Sequence, residues 1–151
     1  MACYARQTRD GDARLAGLGR TVATLRFFGD DLDPDEISRL LGVLPTKSVR
    51  KGEVQRFPNG REVVPRRGSW RLEVADRSPG DLSSQIVELL SAVTEDLSVW
   101  SDLSLRYRGD VFCGLFMEEG NEGEELSPEA MFLMGARKLR LDLDIYGPTT
   151  D

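Results

Sequence analysis

The chain contains no histidine. A Ser-His-Asp or Cys-His nucleophile system is therefore impossible within it, as is a His-ligated zinc or haem site. Cysteine is scarce too. Cys3 and Cys113 are the only two, so there is neither a Cys-x-x-Cys pair nor a disulfide framework. They are expected to be reduced thiols in a cytoplasmic protein. No apolar run approaches the ~20 residues of a membrane span. Residues 1–20 hold Arg6, Arg9, Asp10, Asp12 and Arg14 among Gly and Ala, which is no signal peptide. Phosphate-loop, dinucleotide and metalloprotease-helix spacings are missing. From these absences the chain is expected to use no metal and no cofactor.

What is present is a chain of 151 residues, enough for one domain with a self-sufficient core. Its 40% hydrophobic and 30% charged residues fit a soluble globular protein. Twenty basic residues stand against 26 acidic ones, a net charge of −6. That balance disfavours nucleic acid and anionic membranes as partners, while leaving room for a local basic patch. Residues 1–19 lack a sustained period and are broken by Gly11, Gly17 and Gly19, so a flexible tail is expected there. A single α+β domain is expected over 20–148.

Within that domain, Ala23, Leu25 and Phe27 alternate with Val22, Thr24, Arg26 and Phe28, which predicts a strand ended by Gly29. A helix start follows, with Asp33 as N-cap, Pro34 at the first position and Glu36 three after the cap. Ile37, Leu40 and Leu41 form its stripe, and Gly42 supplies a left-handed C-cap. Asp30, Asp31, Asp33 and Asp35 lack the spacing of a calcium loop and read as caps. A short strand is expected at 46–51. A long connection over 52–68 then carries a Pro-Asn-Gly turn, and a strand follows with Trp70, Leu72 and Val74 on one side. Leu82, Ile86, Leu89, Leu90, Val93 and Leu97 predict one helix of four turns opening at Asp81, with Trp100 just past its end.

Gly109-Asp110 reads as the turn of a hairpin joining 103–108 to 111–117, setting Tyr107 against Phe112 and Leu103 against Phe116. Ser127-Pro128-Glu129 announces a third helix. A last strand is expected to turn Leu139, Leu141, Leu143 and Ile145 inward and Arg140, Asp142, Asp144 and Tyr146 outward. The predicted fold is an α+β sandwich of the ferredoxin-like split βαβ type (βαββαβ), extended by a C-terminal helix and strand.

Several of these segments carry a resemblance. They are Ala23-Thr24-Leu25-Arg26-Phe27-Phe28-Gly29-Asp30-Asp31-Leu32-Asp33-Pro34, Leu41-Gly42-Val43-Leu44-Pro45-Thr46, Gly68-Ser69-Trp70, Leu126-Ser127 and Asp144-Ile145-Tyr146. In them the chain resembles a bacterial family known as domain of unknown function 4279, across about residues 21–147. The resemblance implies the domain boundaries and brings no reaction, cofactor or catalytic residue with it.

Three surfaces stand out. Between 47 and 71, eight basic residues face only Glu53 and Glu62, leaving +6 locally. Arg56, Arg61, Arg66 and Arg67 in this connection are the candidate contacts to an anionic partner, with Phe57 and Trp70 as stacking candidates, although Trp70 is expected in the core instead. Residues 118–129 carry six glutamates without a base, expected as a solvated loop. On the last strand Asp142, Asp144 and Tyr146 could meet Arg26, as a salt bridge or as an acid-base set. The leading expectation is a non-enzymatic interaction module. It would bind, and could neutralise, a partner protein or a small anionic ligand through the sheet face and the 47–71 connection. The alternative is a histidine-free hydrolase or transferase using carboxylates and arginine on an anionic substrate.

Overall fold

Strict alternation makes β1 (Arg20–Gly29) the centre of the molecule, because both of its faces have work to do. Ala23, Leu25 and Phe27 are buried in the main core, while Thr24, Arg26 and Phe28 point to the opposite face. The computed structural model describes residues 17–149. After β1 come α1 (Pro34–Leu41), β2 (Lys47–Val49), β3 (Gln55–Arg56), β4 (Glu62–Val63), β5 (Gly68–Glu73), α2 (Leu82–Ser91) and α3 (Leu97–Arg106). The chain continues through β6 (Arg108–Phe116), α4 (Pro128–Ala136) and β7 (Arg140–Tyr146).

The main sheet has the order β2-β5-β1-β6-β7, and β3 pairs with β4 in a separate small ribbon. All pairings in the main sheet are antiparallel except β6 with β7, which run parallel. The chain is thus a mixed α+β fold. Its helices bury their apolar sides against one face of the sheet, in a core shared with Phe27, Trp70, Trp100 and Val111. Phe27 meets Trp70 edge-on at 6.1 Å and Trp100 at 6.0 Å. Full burial of such a ring contributes about 1.5–3 kcal/mol.

Helix α1 begins and ends as its sequence predicts. The Asp33 side chain accepts a hydrogen bond from the Asp35 amide at 3.0 Å. Gly42, at φ 77°, donates its N–H to the Ser38 carbonyl, a left-handed cap that a glycine adopts without strain. One buried polar group in the core is fully engaged. Gln85 donates to the Thr21 and Ala75 carbonyls and accepts from the Thr21 hydroxyl at 2.7 Å.

Four expectations need correction. The single four-turn helix is two helices. Asp96 accepts from the Ser98 amide and hydroxyl and so starts α3, leaving Leu97 half-exposed outside the stripe. Trp100 lies inside α3, buried, with its indole N–H on the Thr94 carbonyl. The hairpin at Gly109-Asp110 does not exist. Residues 97–106 are helical, and Gly109 and Asp110 lie within the unbroken β6, so Leu103 is a core residue of α3 and Phe112 lies beside Thr24 and Asp142. Tyr107 instead caps α3. The apolar side of β7 is not covered. Leu141, Leu143 and Ile145 are 37%, 45% and 60% exposed, because β7 is an edge strand with a neighbour, β6, on one side only. A groove of about 310 Å³ remains there, flanked by Leu115, Met117 and Leu126.

The acidic connection is also less free than expected. Glu122 accepts from the amides of Glu118 and Glu119, and Glu124 accepts from the Leu82 amide at the start of α2. A carboxylate there suits the positive end of the helix, while burial raises the Glu124 carboxyl above the usual range. Leu18, assigned to the tail by the sequence reading, is 4% exposed, and its carbonyl accepts from the Gly80 amide. Residues 1–16 of that tail lie outside the described residues.

Candidate functional site

Among the described residues the second face of the sheet carries no helix, and the registers place its side chains in cross-strand rows. One row runs Lys47, Arg71, Arg26, Asp110 and Arg140 across all five strands. Arg26 is its anchor. The guanidinium donates to both carboxylate oxygens of Asp110, at 2.8 and 3.0 Å, and to Asp142 at 3.1 Å. The Asp110 side chain has no exposed surface, and that of Arg26 retains 17%. A planar, forked donor matched to a carboxylate gives this pair its fixed geometry.

Aromatic rings fill the spaces between the charges. Phe28 has three guanidinium groups around it, those of Arg67 at 4.4 Å, Arg26 at 5.1 Å and Arg71 at 5.6 Å. Arg26 also lies 4.5 Å from the Phe112 ring. Further along, Arg20 sits 3.7 Å over Phe116, which stacks on Tyr146 at 4.6 Å. Arg20 donates to Asp76 at 2.6 Å and Arg26 to Asp110 and Asp142, whereas Arg67 and Arg71 are oriented by Phe28 with no ion pair to a described residue. Between Arg20, Thr24, Arg26, Arg71, Glu73 and Phe112 lies an open basin of about 450 Å³.

The sequence candidates divide over this geometry. Arg26 and Arg67 meet at Phe28. Arg56 lies on the β3–β4 ribbon, paired with Glu62 at 2.9 Å, and Arg61 and Arg66 are exposed beside it. Tyr146 donates to Asp144 at 2.7 Å, whereas Arg26 takes Asp142. The Asp144 bond, with a smaller contribution from desolvation, raises the Tyr146 phenol, which stays protonated at neutral pH. Part of the basic segment is neutralised by the aspartates after β1. Arg50 binds Asp33 at 2.5 Å and Asp35 at 2.6 Å, and Lys51 binds Asp30 at 3.1 Å. Only Asp33 is both the cap of α1 and an ion-pair partner; Asp35 lies in the first turn and Asp30 before the helix, so the reading of all these aspartates as caps is corrected.

Three participants escaped the sequence reading. Asp110 reads as a turn residue in the sequence, Phe28 stands out there only by its strand position, and Arg71 counts in the basic 47–71 stretch without being one of the candidate contacts. The alternation Asp110, Phe112, Gly114, Phe116 against Val111, Cys113, Leu115 was the available signal for β6. Among the described residues no group of His, Cys, Asp and Glu is placed to hold a metal, and no helix is long and apolar enough to cross a membrane. Comparison with curated proteins and with solved structures finds no match. The family described as "Domain of unknown function (DUF4279)" matches residues 19–148, from just before β1 to just past β7, and the chain belongs to that family.

Proposed function

We propose that this domain is a binding module that docks a carboxylate-rich segment of a partner protein on its uncovered sheet face. The observation that carries the reading is the cluster at Phe28. Arg67 and Arg71 lie against the ring, and neither forms an ion pair with a carboxylate among the described residues. Arg61 and Arg66 stand exposed on the adjoining connection. Arginines held by an aromatic ring lose little side-chain freedom when they bind a carboxylate, and they offer it two parallel donors. Arg26 is held by Asp110 and Asp142, so it organises the face rather than contacting the ligand. The same reading takes β2, β5, β1 and β6 as a ferredoxin-like arrangement. It is supported by the position of β1 between β5 and β6, antiparallel to both.

The test is anisotropy titration with a fluorescent oligoglutamate peptide at low and high salt. Binding should be saturable and should weaken as salt rises, since exposed charges are screened within a Debye length of ~10 Å at 0.1 M. The Arg67→Ala/Arg71→Ala variant should bind at least about tenfold more weakly with little change in melting temperature. Binding of that variant at wild-type strength would refute the site. Tight binding of free glutamate or citrate, matching the peptide, would replace the protein partner with a small anion.

A further inference from the structure

A second concentration of positive charge lies at the end of the sheet where β6 and β7 begin, reaching Phe28 through its register partner Arg108, and the proposal above does not use it. Here the α3–β6 and α4–β7 junctions enclose a small cavity of about 90 Å³. Phe27, Trp100 and Leu139 form part of its wall, Arg137 and Lys138 line it at the end of α4, and Arg108 and Arg140 border it from the first residues of β6 and β7. We propose that this cavity is a binding site for a phosphate-sized oxyanion.

Arg137 carries the argument. It is 5% exposed, and its guanidinium lies 5.6 Å from the Trp100 ring. Among the described residues this five-donor group makes one hydrogen bond, from one terminal nitrogen to the Leu133 carbonyl at 3.2 Å. Its Nε is buried without any partner. No carboxylate among the described residues lies within ion-pair distance of it. Burial pulls this arginine below its ordinary range, against a weaker opposing effect of Glu95. A buried, unpaired guanidinium is costly, and unsatisfied buried donors in native proteins call for an ion or water.

The neighbouring cations point the same way. Arg108 approaches Asp110 only at 3.9 Å, Lys138 is held by the neutral Ser101 hydroxyl at 3.1 Å, and Arg140 forms no ion pair with a described residue. Lys138 adopts φ 55°, a left-handed conformation uncommon for lysine. That bend lets Arg137, Lys138 and Arg140 line one cavity within four residues. Cations at the C-terminus of α4 do complement the helix dipole. The dipole does not account for a guanidinium taken out of solvent with its Nε unbonded.

Size sets the ligand class. The cavity is several times the ~10–15 Å³ that one water requires, so it admits a phosphoryl group but not a nucleoside as well. Inorganic phosphate and the phosphoryl end of a small monoester share this chemistry.

The experiment is a thermal-shift and calorimetric titration of the full chain with sodium phosphate and, separately, with phenyl phosphate. Ionic strength is held constant with sodium chloride. A saturable rise in melting temperature with phosphate is expected, because a ligand that binds only the folded state stabilises it. Arg137→Met should weaken the apparent affinity at least tenfold. If that variant does not fold, the exposed Arg108→Gln/Arg140→Gln pair should show the same direction of change. The Arg67→Ala/Arg71→Ala variant should respond as the wild type does, which separates this site from the sheet face. Binding of phenyl phosphate too would identify a monoester site, and exclusion of it a free-phosphate site. No response beyond that of chloride would overturn the proposal. So would a response untouched by the cavity variants, or one lost only with Arg67 and Arg71.

Discussion

Replacing Asp110 by Asn tests whether the Arg26 pair organises the sheet face. The Asp110 side chain has no exposed surface, and it takes both forks of Arg26 at 2.8 and 3.0 Å. Breaking a buried ion pair by removing one partner typically costs ~3–5 kcal/mol, because the other charge is left buried. Two features reduce that cost here. Arg26 keeps Asp142 at 3.1 Å, and 17% of its side chain reaches solvent. The expected loss is therefore about 2–4 kcal/mol. For a chain of this length each kcal/mol corresponds to roughly 2–4 °C, so the melting temperature should fall by about 5–15 °C.

Urea unfolding read by tryptophan fluorescence suits the measurement, since Trp70 and Trp100 are 0% and 1% exposed and both report loss of the core. An Arg26→Met/Asp110→Leu double variant removes both charges and fills the space. It should be more stable than the sum of the two single losses implies. A loss below ~0.5 kcal/mol for Asp110→Asn would refute the reasoning, because that is the scale of an exposed pair. Strict additivity in the double variant would refute it equally.

Cys113 is buried, and desolvation, aided by the Asp110 and Asp142 charges, pushes its thiol up to about 12. In a Cys3→Ser background, alkylation by iodoacetamide at pH 8 should be slow in the folded state and fast in denaturant; rapid native labelling would contradict this burial. By linkage the same shift contributes stability that is present below pH 9, the thiol's ordinary value. It is lost as pH rises from there towards 12, so an alkaline melt series should be flatter for Cys113→Ala. At the acid end, Arg106 beside Glu36 and Arg50 beside Asp33 hold those carboxyls below their ordinary values of 4.5 and 3.8. Their stabilisation is present above those values and lost as pH falls through them. Melting temperature should therefore drop below about pH 4.5, and less steeply in an Arg50→Gln/Arg106→Gln variant; identical acid profiles would exclude these pairs as the cause.

Local rules alone determined the central strand, the caps of α1, the core stripe of α2 and the burial of both tryptophans. Each depends on a period or a cap contained within a few neighbouring residues. The break between α2 and α3 was also legible, in Asp96 followed by Ser98, but the apolar stripe running on to Leu97 outweighed it. Gly109-Asp110 carried an ordinary hairpin signal, and only the tertiary structure overruled it. Pairing of β6 with β1 over nine residues and with β7 over seven of them gives Asp110–Phe116 a strand partner on both sides, which a turn there would forfeit. The basic patch illustrates the same division. Sequence set the surplus of arginine in 47–71. The fold decided that Arg50, Lys51 and Arg56 would be neutralised by carboxylates, three of those aspartates being far away in the chain. It also set Arg67 and Arg71 against Phe28, and turned Arg137 toward the Trp100 ring without a counter-charge among the described residues. Charge is a property of composition, but whether a charge is paired depends on which strands lie side by side, and that is fixed only when the sheet forms.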